Sequence, residues 1–268
     1  MRCATRGRKA RNVRRSVIAA LLLVASTAVQ AATAYRVTTV TKDHFTKPAL
    51  VAHVIADGEN RRLTYENRRE PFTEDVLLST DGGKTVIALN TSMRTWFAMY
   101  RVEATETGLP SMIRAEIRDP KITMTEEPSP DVAGYPVRKF VIHAGYMTRE
   151  HYSGTKVDRI HTMTALIWTT DKLDRSLAFP IPEVTMGARS IDAQLREKMA
   201  SIPGFPLRQV TTISRAYEGG EPQVTMTTTE VDDIRTVPSP PASQFAKPAD
   251  YVNQEPIIGT PGKVAPPR

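Results

Sequence analysis

The sequence predicts a mainly β protein whose strands form an antiparallel sheet. Short stretches rich in Val, Ile, Thr and aromatic residues recur along the chain, separated by Gly, Pro, Asn or Asp, which is typical of strands joined by turns. Several stretches alternate apolar and polar side chains, which predicts a sheet with one buried face. About eleven strands are predicted, over residues 35–42, 50–56, 61–67, 75–79, 85–90, 95–100, 121–126, 137–144, 162–169, 207–216 and 223–234.

Two turns and one alternating stretch are the clearest local patterns. Asp81-Gly82-Gly83 and residues 218–221 place glycines between strand-like segments, as tight hairpins require. In the last long strand Val224, Met226 and Thr228 alternate with threonines at 225, 227 and 229. One side of this strand is therefore expected to face the core.

One helix is predicted late in the chain. Ser190 is the expected N-cap, and Pro203-Gly204 ends the segment. The apolar stripe consists of Ile191, Leu195 and Met199. A second, shorter helix is predicted over residues 111–117, where Met112, Ile113 and Ile117 would form the stripe.

The N-terminus is typical of a secretory signal peptide. Residues 2–15 are basic without an acid, residues 17–29 are largely apolar, and small residues end the segment at Val29-Gln30-Ala31 and at Ala32-Thr33-Ala34. The apolar stretch is shorter than the roughly 20 residues that a transmembrane helix needs. We therefore expect a signal over residues 1–34, cleavage after Ala31 or Ala34, and a periplasmic or secreted product without a transmembrane anchor.

Removal of the signal also removes the net charge of the chain. Seven of the 36 basic residues and none of the 29 acidic residues precede Ala34, so 29 of each remain. A neutral domain gives no electrostatic reason to expect nucleic acid as a partner. The only cysteine is Cys3, so neither a disulfide nor a lipid anchor is expected in the mature domain. That domain is predicted over residues 35–251, followed by a disordered Pro-rich tail over 252–268.

Tests for catalytic and metal-binding patterns identify no site. The five histidines do not form the i, i+4 pair of a helical zinc motif, although His143, His151 and His161 could meet across strands. No G-x-S-x-G turn is present, and Ser153 near His151 is not a triad by sequence proximity alone. We expect no catalytic residue, metal or cofactor.

The remaining candidate is an apolar cleft formed by one face of the sheet. Large apolar side chains in the predicted strands would line it, and ten methionines could supply an adaptable lining. Plain core packing is the alternative explanation for the same side chains. The candidate ligand-binding residues are Val54, Leu63, Trp96, Phe140, Trp168 and Met226.

Four segments together resemble a family of exported bacterial domains with the LolA/LolB-like fold. They are 134–140 (GYPVRKF), 165–173 (ALIWTTDKL), 204–208 (GFPLR, directly after the predicted helix) and 245–251 (FAKPADY). The resemblance implies a half-open antiparallel barrel with one or two helices covering its concave side. In the lipoprotein carriers of that fold the concavity holds acyl chains. No position of this sequence matches the carriers' ligand-handling arginine.

Three functional hypotheses follow. The first is a non-enzymatic binding or carrier module whose apolar cleft takes a lipid or lipoprotein-like ligand. The second is a structural or interaction protein of the cell envelope whose own helix fills the cleft and whose partner is another envelope protein. The third is an envelope hydrolase, which would require His143, His151, His161, Ser153 and nearby acids to converge.

Overall fold

A computed structural model describes residues 31–44, 47–67, 74–99, 114–152, 155–179 and 185–254 of the chain. Within these residues one helix, α1 (Arg189–Ser201), accompanies twelve strands. The strands are β1 (Ala31–Lys42), β2 (Leu50–Asp57), β3 (Asn60–Tyr65), β4 (Val76–Ser79), β5 (Val86–Asn90), β6 (Thr95–Met99), β7 (Arg114–Glu127), β8 (Arg138–Tyr152), β9 (Thr155–Thr170), β10 (Phe205–Tyr217), β11 (Gln223–Pro238) and β12 (Val252–Asn253).

All twelve strands belong to one open sheet in the order β12-β6-β5-β4-β3-β2-β1-β11-β10-β9-β8-β7. Neighbours run antiparallel except for the parallel pair of β12 and β6. The prediction of a mainly β, antiparallel protein is confirmed, and each predicted strand overlaps an observed one. β7 and β12 stand at opposite edges, so the sheet does not close.

The two faces of the sheet differ in what covers them. In β9 the buried side chains of Met163, Ala165 and Ile167 alternate with the more exposed Thr164 and Leu166. The buried set packs against α1. We call this side the inner face and the opposite side the outer face, and the register of pairing assigns every other strand residue to one of them.

Two apolar clusters fill the inner face. The helix cluster joins β8 and β9 to α1 and to the residues just before it; its buried members are Phe140, Ile142, Ala144, Tyr146, Met163, Ala165, Ile167, Met186, Ala188, Ile191, Leu195 and Ile202. The strand cluster lies over β1, β2, β3, β10 and β11, and its buried members are Tyr35, Val37, Ala52, Val54, Leu63, Phe179, Phe205, Leu207 and Val231. Burial of this apolar area is the main favourable contribution to folding.

A third cluster lies on the outer face near the other edge. Val76, Leu78 and Leu89 are buried there against Trp96 and Tyr251. The chain after β11 reaches this face, where Arg62 donates to the Gln244 carbonyl at 2.8 Å, and it ends by pairing β12 with β6. Val252 and Asn253, which the sequence assigned to a disordered tail, are therefore part of the sheet; residues 255–268 lie outside the described residues.

The predictions for the helices require two corrections. Residues 114–117, assigned to a short helix, instead begin β7, where Ile117 pairs with Thr148 of β8; residues 111–113 lie outside the described residues. The N-cap of α1 is Ala188, and Ser190 makes no cap. The Asp192 side chain instead holds the segment that enters the helix, by accepting from the backbone N–H groups of Met186 at 2.7 Å and Gly187 at 3.2 Å.

The hairpin predicted at Asp81-Gly82-Gly83 is confirmed between β4 and β5. Gly82 and Gly83 have φ values of 70° and 92°, a conformation that glycine adopts without steric cost. The Asp81 carboxylate accepts from the backbone N–H of Thr85 and from the Ser79 hydroxyl, both at 2.9 Å. These hydrogen bonds lower the pKa of Asp81 to about 2.

The first residues of β1 lie in the middle of the sheet. Ala32 pairs with Val237 of β11, and Thr33 pairs with both Thr236 and Ala56. Ala32 is only 1% exposed. Residues 31–34 are therefore an integral part of the fold, which bears on the choice between the two cleavage sites.

Candidate functional site

The inner face under α1 is the candidate site, because the helix cluster there combines the apolar side chains of the sheet with those of a single helix. Ile191 and Leu195 of α1 are 1% and 0% exposed, and they belong to the same buried cluster as Ile142 and Ala165 of the sheet, both at 0%. Full burial of one such side chain contributes about 1.5–3 kcal/mol. Packing of these few side chains therefore accounts for most of the attraction between α1 and the sheet.

Polar contacts hold the C-terminal end of α1. The Arg175 guanidinium donates to the carbonyls of Met199 and Ala200, each at 3.0 Å, and also to that of Ile202. The last carbonyls of a helix have no partner within it, and a cation satisfies them and the helix dipole together. Because Arg175 lies on the exposed connection between β9 and α1, it ties the helix to the segment that precedes it.

A buried arginine holds that same connection on the sheet. Arg61 of β3 is 1% exposed, and its guanidinium donates to the carbonyls of Gly58 at 2.6 Å and Asn60 at 2.8 Å, and to that of Ser176. Tyr35 of β1 assists, since its hydroxyl donates to the Leu177 carbonyl at 3.0 Å and accepts from the Phe179 N–H at 2.7 Å. Residues 175–179 are thus fastened over the strand cluster by hydrogen bonds.

A group of polar side chains adjoins the helix cluster on the inner face and shares Tyr146 with it. We call it the His161 cluster; it comprises Tyr146, Thr148, Glu150, Arg159, His161 and Arg215. The rings of Tyr146 and His161 stack with centroids 4.5 Å apart, and Thr148 Oγ1 lies 3.1 Å from His161 Nε2. Glu150 is fully buried and forms an ion pair with Arg159 at 3.3 Å.

The surroundings of His161 keep its imidazole neutral. The side chain is 6% exposed, and burial is the largest cause that lowers its pKa to about 4. Arg215 and Arg159 lower the pKa further, whereas Glu150 acts in the opposite direction. A charged imidazole would lose hydration here and would face two cations.

This lowered pKa makes the stability of the protein depend on pH. Between pH 6.5 and about 4 the unfolded chain binds a proton at His161 that the folded protein does not, so the free energy of unfolding falls as the pH falls. We expect a loss on the order of 2 kcal/mol across this window. Urea denaturation at a series of pH values measures it.

Comparison with His161→Gln isolates this contribution, because glutamine does not titrate while the carboxylates of both proteins do. The difference in unfolding free energy between the two proteins should change by this amount between pH 4 and pH 6.5. A difference that is constant with pH would show that His161 is solvated.

The six candidate ligand-binding residues divide between the two faces. Val54 and Leu63 belong to the strand cluster and Phe140 to the helix cluster, so these three lie buried on the inner face. The register places the other three on the outer face; they are Trp96, Trp168 and Met226. Trp168 stands there between Lys139 and Arg208, whose charged groups lie 5.8 Å and 5.2 Å from its ring.

The histidines considered for a hydrolase do not come together in the structure. His143 lies on the outer face beside Thr164, at 3.1 Å, whereas His161 is buried on the inner face. His151 is on the same side as His143 by its position in β8, and Ser153 lies outside the described residues. Among the residues that the structure describes, no group of three His, Cys, Asp or Glu side chains could hold a metal ion.

Sequence reasoning missed Arg61, Arg175 and the His161 cluster. A signal existed for Arg61 and Glu150, because each occupies an inward position in an alternating strand where an apolar residue is expected. Arg175 gave none, since its partners are backbone carbonyls about 25 residues later in the chain.

Comparison of the chain with models of known protein families and with curated proteins gives no match. In the part of the chain that the structure describes, no helix combines the length and the apolar character needed to cross a membrane.

Proposed function

We propose that the protein is an exported, non-enzymatic binding module that takes an apolar ligand, such as a lipid or an acyl chain, on the inner face of its sheet. The observation that carries this proposal is the extent of the helix cluster, whose buried strand residues lie on β8 and β9, with partly buried residues of β7 and β10 beside them and α1 packed against them. When α1 moves away, a continuous apolar surface becomes available to a ligand. A contiguous apolar surface that is exposed in this way would serve as a binding site.

The resemblance to the LolA/LolB-like fold supports the same function. A half-open barrel with its helix on the concave side is the finer form of the architecture that we propose for the open sheet and α1. Val54, Leu63 and Phe140 are then the candidate contacts to the ligand. Trp96, Trp168 and Met226 would serve a partner on the outer face instead.

Loosening α1 tests the proposal. Arg175→Gln removes the charged donor from the carbonyls at the end of α1, which should lower the free energy of unfolding by about 1–2 kcal/mol. We expect the variant to bind the fluorescent apolar probe N-phenyl-1-naphthylamine several times faster than the unaltered protein. Stopped-flow fluorescence measures the rate.

Arg235→Gln is the matched control, because Arg235 is exposed and pairs only with Asp233 two residues away. Its binding rate should equal that of the unaltered protein. An absence of saturable probe binding by all three proteins would overturn the proposed function.

Export with cleavage of the signal also predicts the first residue of the mature protein. Cleavage after Ala34 would remove Ala32 and Ala34, both of which are buried in β1, whereas cleavage after Ala31 leaves this part of the strand in place. We expect the mature protein to begin at Ala32. Intact mass spectrometry of protein purified from the periplasm decides between the two sites, and a mass that retains residues 1–31 would contradict export by cleavage.

A second candidate function is an interaction protein of the cell envelope whose cleft is filled by its own helix. The full burial of Leu195 favours it, because a helix packed so completely leaves little reason to open. This candidate requires that the apolar probe does not bind and that Arg175→Gln lowers stability without any gain in binding rate.

A further inference from the structure

Arg215 lies on the inner face in the His161 cluster. Among the described residues it has no hydrogen-bond or ion-pair partner. Arg215 of β10 stands directly opposite His161 of β9 in the register, so both side chains share the inner face. Arg215 is exposed. Its neighbour Arg159 is already engaged with Glu150 and with the Tyr217 ring and hydroxyl.

The buried imidazole beside Arg215 has an unused nitrogen. The Thr148 hydroxyl donates to the Glu150 carboxylate at 3.5 Å, and a hydroxyl has only one proton to donate. The roles of Thr148 Oγ1 and His161 Nε2, 3.1 Å apart, depend on the tautomer of His161. We infer that Thr148 accepts from Nε2, because its single proton is directed to the Glu150 carboxylate. This assigns the proton of the neutral imidazole to Nε2 and leaves Nδ1 as a lone pair, buried and without a hydrogen-bond partner.

A buried acceptor next to an unpaired cation specifies the chemistry of a ligand. The lone pair of Nδ1 requires a proton donor, since an unsatisfied buried polar atom costs about 1–3 kcal/mol. The guanidinium of Arg215 requires an anion. A carboxylate that arrives with one proton satisfies both groups, because the proton bridges Nδ1 and one carboxylate oxygen while the other oxygen pairs with Arg215.

The apolar surface continues directly from this point. The next inward residues along the strands are Ala144, Met163 and Ile213, which belong to the helix cluster or pack against it. A carboxylate held at Arg215 would thus have its hydrocarbon chain on the surface that α1 covers.

We propose that the His161 cluster binds the carboxylate headgroup of a long-chain fatty acid, together with one proton, between His161 Nδ1 and the Arg215 guanidinium. The inference rests on the proposed function and names the ligand class of the same inner face. The ligand itself is held non-covalently. For each ligand bound, one proton leaves the buffer acid and bonds to Nδ1 or to a carboxylate oxygen of the ligand. Without ligand, burial and the two arginines keep the His161 imidazole unprotonated. The negative charge of the bound carboxylate therefore makes the uptake of the proton favourable.

Paired ligands separate the headgroup from the chain. Oleate carries the carboxylate, and methyl oleate carries the same chain without charge or proton. We expect Arg215→Gln to weaken oleate binding at least tenfold and to leave methyl oleate binding within twofold of the unaltered protein. Arg208→Gln is the matched control, since Arg208 is in the same strand on the outer face, and it should bind both ligands normally.

Proton uptake provides a readout that a structural role of these residues would not change. Isothermal titration of oleate at pH 7 in phosphate and in Tris, whose ionisation enthalpies differ, should give about one proton taken up for each ligand. His161→Gln should reduce this number to near zero; if that variant fails to fold, Arg215→Gln serves for the same comparison.

The outcomes distinguish the two proposals. Binding of both ligands with equal affinity, no effect of Arg215→Gln and no proton uptake would overturn the headgroup site while the apolar cleft stands. Failure of both oleate and methyl oleate to bind any of the proteins would overturn the proposed function and the headgroup site with it.

Discussion

Replacing Leu195 by alanine should lower the free energy of unfolding by about 2–5 kcal/mol. Leu195 is fully buried in the helix cluster, together with Ile142, Ala165 and Ile167 of the sheet. The substitution removes apolar contacts and leaves a cavity that a helix attached at both ends can close only in part. Urea denaturation followed by far-ultraviolet circular dichroism measures the loss.

Gln194→Ala provides the control for this substitution. Gln194 is exposed, and its side chain contacts only the Ser190 carbonyl one turn earlier, so the change should stay within about 0.5 kcal/mol. If Leu195→Ala cost no more than Gln194→Ala, α1 would not be packed on the sheet in solution. The proposed binding surface would then already be open.

Replacing Arg61 by methionine should cost about 2–4 kcal/mol. Methionine fills much of the same volume but donates nothing, so the carbonyls of Gly58, Asn60 and Ser176 lose their common donor. The Gly58 carbonyl belongs to the turn before β3, the Asn60 carbonyl to the first residue of β3, and the Ser176 carbonyl to the connection between β9 and α1. The loss should therefore loosen that connection and increase amide hydrogen exchange in residues 175–179.

Arg62→Met is the matched control. Arg62 is the next residue, but it points to the outer face and donates to Thr64 Oγ1 at 3.3 Å and to the Gln244 carbonyl at 2.8 Å. Its loss should cost less than about 1 kcal/mol, because water can replace partners at an exposed site. Equal changes in the free energy of unfolding for the two substitutions would contradict the conclusion that buried Arg61 holds the connection between β9 and α1 on the sheet.

The strands could be predicted because their pattern is local. The alternation of apolar and polar side chains, with turns at glycine and proline, is visible within eight to ten residues, and the strands of the sheet follow it. The spacing of Met112, Ile113 and Ile117 also fits a helix, yet residues 114–117 form β7 because they pair with β8, some thirty residues later. Pairing of this kind is not visible in the local pattern.

The candidate site was harder to predict because it depends on register. Phe140 and Trp168 lie in adjacent strands, but Trp168 pairs with Lys139 rather than with Phe140. The two aromatic rings therefore lie on opposite faces of the sheet. A single step in register decides which side chains can share a ligand, and nothing in the composition of either strand specifies that step.

The polar contacts of the site could not be derived from residue type. Arg175 and Arg61 act on backbone carbonyls, which every residue possesses, so their partners are set by the path of the chain. The orphan nitrogen of His161 is likewise a property of its neighbours Thr148 and Glu150, which the register brings beside it. These polar contacts depend on the tertiary structure and can be identified only when that structure is known.

The pairing of β1 with β11 governs when the chain can fold. Arg36 of β1 forms an ion pair with Asp232 of β11 across a separation of 196 residues, and β1 occupies an interior position in the sheet. Contacts so distant in sequence form slowly, because a long loop must close first. The sheet cannot be completed before nearly the whole chain has been made. Under the export that we propose, this late closure would keep the polypeptide extended and competent for translocation until its last strands are made.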